Sequence, residues 1–440
     1  MNDLAAKSAK GAKKGETWPM VRLGDVCEVI NGLWKGVKGP LRNVGVIRAT
    51  NFTKRCEFDS TKTVFIDVEE KKFLKRRLVY GDIVVERSGG GPNQPVGRVI
   101  YFNLNEGDYS LSNFTSALRV IDARIDAYYL YRVLVAFYSN GITEKIQSNS
   151  VQLRNLDFEA YLNLQIPLPP LEVQKEIVER LEKELDECER IAENFRKIAE
   201  LAEAEFKAVL DEVFGELEGM CVREGEGEGE GKGEGEGKGE GDILTQRSRE
   251  AEVRRVRLGD LGEIVTGTTP SKQHKEYYGG EYSFFKPGDL DQGFNVVNSI
   301  DTLTDEGWKV ARQLPVGTIL VTCIGSLGKS GIIRKVGSCN QQINAIISKK
   351  AMSEFVYYYV LSPTFIFNLQ SISNATTLAI VNKTQFQEMQ IPLPPLSVQK
   401  SVVARLNEAR GRCDKLKAAA ERGLRAAENL RKAILAEAFE

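Results

Sequence analysis

The chain has 440 residues, of which 42% are apolar and 28% charged, and its formal net charge is −1. That length supports two or three domains, and the near-neutral total neither demands nor excludes a nucleic-acid partner. No run of about 20 apolar residues offers a membrane span, the N-terminal stretch carries no apolar signal core, and seven cysteines without a Cys-x-x-Cys pair give no disulfide framework, so a cytoplasmic protein with reduced thiols is expected.

Residues 1–17 are rich in Ala, Lys and Gly and predict a disordered tail. A first mixed domain, 18–165, opens at Trp18-Pro-Met-Val-Arg-Leu-Gly-Asp25. Strand-like runs follow at Val44–Ala49, Thr63–Asp67, Asp82–Glu86, Val96–Phe102 and Ser116–Ile121, then helix-like stretches at Ala127–Tyr138 and Thr143–Ser148. Next comes Ile166-Pro-Leu-Pro-Pro-Leu-Glu-Val-Gln-Lys175. Its prolines Pro169 and Pro170 suit the start of a helix, where the missing N–H would be unbonded anyway. A long helical segment, 166–220, is expected after them, with Gly215 as a C-cap.

Residues 221–250 hold a Gly/Glu/Lys alternation that cannot bury a core and reads as a flexible linker; its 18 alternating residues, Glu224 to Gly241, would span about 23 Å. A second domain, 251–390, repeats the order of the first: Val256-Arg-Leu-Gly-Asp260, strands near Tyr282–Phe285, Thr318–Thr322, Gly331–Lys335 and Asn344–Ser348, and helices near Glu354–Leu361 and Thr364–Ser371. Ile391-Pro-Leu-Pro-Pro-Leu-Ser-Val-Gln-Lys400 repeats the proline motif with one substitution at an offset of 225 and opens a second long helix, 391–440. The chain is a tandem duplication. Strands that precede helices within each half predict an α+β fold.

The long helices carry heptad seams. With Leu181 taken as an a position, the first runs Ile177, Leu181, Glu184, Cys188, Ile191, Phe195, Ile198, Ala202, Glu205 and Val209. The second runs Val402, Leu406, Ala409, Cys413, Leu416, Ala420, Gly423, Ala427, Leu430 and Ile434. Bulky Phe195 and Ile198 correspond to small Ala420 and Gly423, and the net charges of 172–220 (−9) and 396–440 (+4) are opposite. The two helices are expected to pair as an antiparallel coiled coil, the alternative being two solvated helices on their own domains. A helix of about 43 residues would extend roughly 65 Å and set the domains at opposite ends.

Catalytic signatures are missing. Gly325-Ser-Leu-Gly-Lys-Ser330 ends like a phosphate-binding loop, but Cys323 stands where the first glycine is required and a strand pattern follows. His274 is the sole histidine, which removes His-based metal sites and triads. What the sequence offers instead are polar loops of the kind that read base edges and phosphates, although ordinary polar hairpins look alike. The candidates are Trp34, Lys35, Arg48, Asn51, Arg87, Ser88, Asn93, Gln94, Arg98 and Asn113 in the first domain. In the second they are Thr268, Thr269, Lys272, Gln273, His274, Ser326, Lys329, Asn340, Gln341 and Gln342.

From Trp18 to Phe439 these motifs resemble the specificity subunits of type I restriction–modification systems: the paired Ile-Pro-Leu-Pro-Pro-Leu-x-x-Gln-Lys segments, Asn31–Gly36, Gly81–Gly90 and Ser112–Ser116. The resemblance implies two pseudo-symmetric target-recognition domains, each reading half of a bipartite site in double-stranded DNA. It also implies that the helix pair acts as a ruler and docks two methyltransferase subunits, which carry S-adenosylmethionine and methylate adenine. ATP, Mg and cleavage would belong to two further motor–nuclease subunits where restriction accompanies modification. This chain would hold no cofactor or catalytic site. A coiled-coil scaffold with protein-binding end domains is the alternative.

Overall fold

Each copy of the proline motif is half strand and half helix start. Gln165–Pro167 pairs antiparallel with Met20–Arg22, with Val21 opposite Ile166, and Gln390–Leu393 pairs the same way with Arg254–Arg257, with Val256 opposite Ile391. The echo between the Val-Arg-Leu-Gly-Asp segments therefore marks the strands that close each domain onto its proline motif. After the two prolines, helices run over Leu171–Gly219 and Leu396–Glu437. The computed structural model describes residues 18–33, 39–90, 94–150, 153–221, 253–373 and 379–439. The tail and most of the Gly/Glu linker lie outside the described residues, as do Trp34, Lys35 and Asn93.

The motif glutamine explains why the repeat extends into the helix. Gln174 is fully buried: its Nε2 donates to the carbonyls of Pro169 and Arg124, both at 2.8 Å, and its Oε1 accepts from Asp126 N–H at 2.8 Å. Gln399 likewise donates to Pro394 O at 2.9 Å and accepts from Met352 N–H at 2.9 Å. One amide thus satisfies orphan groups at the helix start and at the start of a domain helix (Ala127–Ser139, Ser353–Val360).

The chain forms two compact units, residues 1–195 with 421–440, and residues 196–420. Their sheets have one topology. A four-stranded antiparallel sheet runs Cys27–Asn31, Thr115–Val120, Ile83–Glu86, Val99–Tyr101 in the first unit and Gly262–Thr266, Ile343–Ser348, Ile319–Thr322, Ser330–Ile332 in the second. A three-stranded sheet runs Val64–Glu69, Leu41–Ile47, Tyr109–Leu111 in the first and Asp301–Leu303, Tyr278–Phe285, Gly337–Cys339 in the second, its last pair parallel in both. The first unit adds Gln147–Ser150, Leu153–Leu156 and Ser88–Gly90. The α+β duplication expected from the sequence is thus the observed fold, with local differences. The Thr143–Ser148 helix is a 3-10 turn, Thr143–Ile146, followed by a strand, and Gly215 lies inside the long helix, which continues to Gly219.

The long helices pair antiparallel. In the first unit Phe195 packs on Gly423, and Leu435 joins the core of Leu181 and Leu185. In the second, Lys417 Nζ binds Glu203 at 2.9 Å and Arg405 Nη2 binds Glu212 at 2.7 Å. As one number rises the other falls. The seam itself is corrected. Leu181, Cys188, Val402, Leu406, Cys413 and Ala420 are buried, and Ile177, Ile191 and Phe195 are half-buried. Ile198, Leu416 and Leu430, however, are 39, 41 and 47% exposed. Leu185, Ala192 and Phe206 are buried in their place. Leu181 behaves as a d position, so its next seam partner lies four residues on, not three.

Candidate nucleic-acid interface

Three segments far apart in sequence meet at one end of the four-stranded sheet of the first unit, because two strands end there and the third, antiparallel to both, begins there. Asn31 ends Cys27–Asn31, Arg87 follows Ile83–Glu86, and Asn113 precedes Thr115–Val120. Leu33 N–H donates to Leu111 O at 2.7 Å, Arg87 N–H to Phe114 O at 2.8 Å and Ser112 N–H to Ile47 O at 2.9 Å. Gly32 permits this approach: a β-carbon there would lie 1.8 Å from Ser112 O.

On this platform Arg87 is fixed but open. Its guanidinium lies 4.3 Å from the centroid of the Phe158 ring, and its Nη1 donates to Asn31 Oδ1 at 3.2 Å and Ser116 Oγ at 3.3 Å. Burial pulls its pKa below the ordinary arginine value. Arg48, Asn113 and Phe114 are exposed. Ser88 is held by Asn155 Oδ1 at 2.5 Å.

Arg98 and Asn51 belong to the frame and not to the reading surface. Buried Arg98 makes a two-pronged ion pair with buried Glu86, 2.8 Å from Nε and 2.7 Å from Nη2, and donates to Phe52 O at 2.8 Å and Ala49 O at 3.2 Å. Burial alone would lower its pKa, but the Glu86 bonds outweigh it and the net shift is upward. The Gln94 amide oxygen, oriented to accept, sits 2.8 Å from Nη2. Asn51, fully buried, donates to Asp59 O at 2.9 Å and Thr63 Oγ1 at 3.2 Å, and its Oδ1 accepts from Arg48 N–H at 2.9 Å. Both lack free donors for a base because their loops need them as internal caps.

The second unit builds the same cluster from other side chains. Thr268 N–H donates to Cys339 O at 3.0 Å, Cys323 N–H to Gln342 O at 2.8 Å and Asn340 N–H to Phe285 O at 3.1 Å. These bonds match the three of the first unit, so Thr268 corresponds to Leu33, Cys323 to Arg87, Gln342 to Phe114 and Asn340 to Ser112. Gln341 is exposed and accepts from Thr269 Oγ1 at 2.5 Å, and Thr266 Oγ1 donates to Asn344 Oδ1 at 2.7 Å. Exposed Ser326 lies on the loop that follows Ile319–Thr322. Lys329, the counterpart of Arg98, turns to Asp291 at 2.7 Å. Asn340 is buried and bonded to Gln342 Oε1 at 2.8 Å, which makes it a third frame residue. Lys272, Gln273 and His274 are exposed, the imidazole stacking on Tyr277 with a centroid distance of 4.9 Å.

Several members of these clusters escaped the sequence reading. Phe158, Asn155, Thr266, Asn344 and Arg312, whose Nη1 holds Thr266 O at 2.8 Å, sit outside any motif, and Phe114 lies within Ser112–Ser116 without being singled out as a reader. Lys286 occupies the position of Arg48 after the matching strand and pairs with Asp301. The only signal for it was the duplication itself. Among the described residues no group of three or more His, Cys, Asp or Glu side chains could hold a metal ion, and no helix is long and apolar enough to cross a membrane.

Comparison with known proteins agrees with this twofold layout. A family model described as the type I restriction modification DNA specificity domain matches twice, at residues 15–202 and 250–420. The type I restriction enzyme HindI specificity subunit of Haemophilus influenzae is 24% identical over 421 residues, covering 80% of this chain and 90% of that protein. A putative MjaX specificity subunit of Methanocaldococcus jannaschii is 24% identical over 413 residues, covering 89% and 86%. A solved structure described as the basis of complex assembly and conformational transition of the type I R-M system shares the fold, with a TM-score of 0.68 at 18% identity and 98% and 99% coverage. With two matched copies filling most of its length, the chain belongs to the type I restriction–modification DNA specificity family.

Proposed function

We propose that each unit reads one half of a bipartite site in double-stranded DNA through its loop cluster, and that the chain has no catalytic site of its own. The helix pair sets the gap between half-sites and docks two methyltransferase subunits. Those subunits supply S-adenosylmethionine and methylate adenine; motor–nuclease subunits bring ATP and Mg where cleavage accompanies modification. The observation that carries this reading is the recurrence of one backbone platform at one sheet end with different side chains on it: Arg87, Asn113 and Phe114 against Cys323, Gln341 and Gln342. A constant scaffold with variable polar tips suits two readers of unlike sequence.

The test is to co-express the chain with a cognate methyltransferase subunit and map methylated adenines. A split motif with an invariant gap is expected; a continuous motif would remove the two-reader assignment. For the alternative, a scaffold whose ends bind protein, DNA affinity should be weak and insensitive to salt. Readers of duplex DNA lose affinity steeply between about 50 and 200 mM salt.

A further inference from the structure

One position differs in kind between the two platforms. Glu86 and Thr322, the last residues of equivalent strands, pair with Thr115 and Ile343, and the residues after them are Arg87 and Cys323. Cys323 is buried, and burial pushes its thiol up to about 12, so it presents no charge. Arg87 presents a half-buried cation with no carboxylate among its described partners.

A guanidinium has five N–H donors. The Phe158 ring supports one face of Arg87, and among the described residues only Nη1 is engaged, by Asn31 and Ser116. The Nε and Nη2 donors remain, a parallel pair that matches N7 and O6 of guanine in the major groove. Because ring and hydrogen bonds already fix the fork, little side-chain freedom is lost when it engages a base.

Resting on the two-reader function above, we propose that Arg87 reads a guanine in the half-site bound by the first unit, and that the other half-site, with Cys323 at this position, contains no guanine read from there. Exposed Gln341 is the side chain that reads the second half instead, as an amide suited to adenine.

The experiment maps methylated adenines made by the full chain with its methyltransferase subunit, as wild type, Arg87→Gln, Arg87→Lys and Gln341→Ala. In Arg87→Gln, discrimination at one G·C pair of one half should fall roughly 10- to 100-fold, the worth of one bidentate contact. Arg87→Lys should not restore it, because an ammonium lacks the fork. Gln341→Ala should relax a position in the opposite half. The inference is overturned if Arg87→Gln leaves every position within about twofold of wild type, if lysine restores full discrimination, or if both variants act on the same half. Should Arg87→Gln yield no methylation, Phe158→Leu, which keeps the arginine and removes its support, must relax the same G·C pair; an unchanged motif there overturns the proposal. A wild-type motif that is not split overturns the function itself, whereas a split motif indifferent to Arg87 overturns only this inference.

Discussion

The ring of Phe195 fills the space that a side chain at Gly423 would need: a β-carbon there would lie 2.3–2.5 Å from three ring atoms. The large residue of one helix is therefore matched to the absent side chain of the other. Gly423→Ala gains helix propensity of about 1 kcal/mol but forces the ring out, and overpacking costs about 1–3 kcal/mol. Net destabilisation of about 1 kcal/mol in urea unfolding is expected. In a Phe195→Ala background the same substitution should stabilise. A double-mutant cycle without that change of sign would refute the packing assignment.

Arg98 and Glu86 supply the second prediction. Arg98→Met leaves Glu86 buried without its partner, and breaking a buried pair from one side costs about 3–5 kcal/mol. The double substitution Arg98→Met with Glu86→Leu should recover most of that loss. If Arg98→Met instead left the melting temperature unchanged and altered only the DNA sequence recognised, Arg98 would be a reader and not part of the frame.

Gln174 is a third test, since its amide serves three backbone groups. Gln174→Leu keeps the volume but strands one N–H and two carbonyls in a buried setting, at about 2–4 kcal/mol in total. Gln399→Leu, which strands two groups, should cost less. Amide exchange at Asp126 should accelerate only in the first variant; equal exchange in both would contradict the assigned bond.

The fourth prediction concerns pH. The Lys417 hydrogen bond holds the Glu203 carboxyl below its ordinary value of 4.5, with burial opposing. A carboxyl depressed in the folded state binds fewer protons there than when unfolded. Its contribution is complete above pH 4.5 and is lost as the pH falls through the lowered folded value. Lys417→Met should therefore shift acid unfolding toward higher pH, with an effect at pH 7 of under about 1 kcal/mol because the pair is largely solvated. An unchanged acid midpoint would show that the pair contributes nothing.

Much of the seam was within reach of the sequence. The track Leu181, Leu185, Cys188, Ala192, Phe195, Ala199, Ala202, Phe206, Val209 and Val213 contains no charged residue, whereas the one starting from Leu181 as an a position admits Glu184 and Glu205. Spacings of three and four alternate in either phase, and Ile191 and Ile198 made the wrong phase look apolar. The partner helix gave no arbitration, because its apolar Leu416 and Leu430 are exposed while Lys417, next to Leu416, meets Glu203.

The sequence by itself determined the duplication, the α+β order within each half, the two long helices and the small-against-large layer at Phe195, because each of these follows from local pattern or from self-similarity. Only the tertiary structure decided which polar side chains face outward. Arg87 and Arg98 stand eleven positions apart in one loop-rich segment and look interchangeable in a list of base readers. Strand pairing turns Arg98 inward, onto Glu86, and leaves Arg87 on Phe158 with Nε and Nη2 unengaged among the described residues. The difference rests on a carboxylate and a ring brought in by chain folding, and a residue type carries no record of the partner that burial will give it.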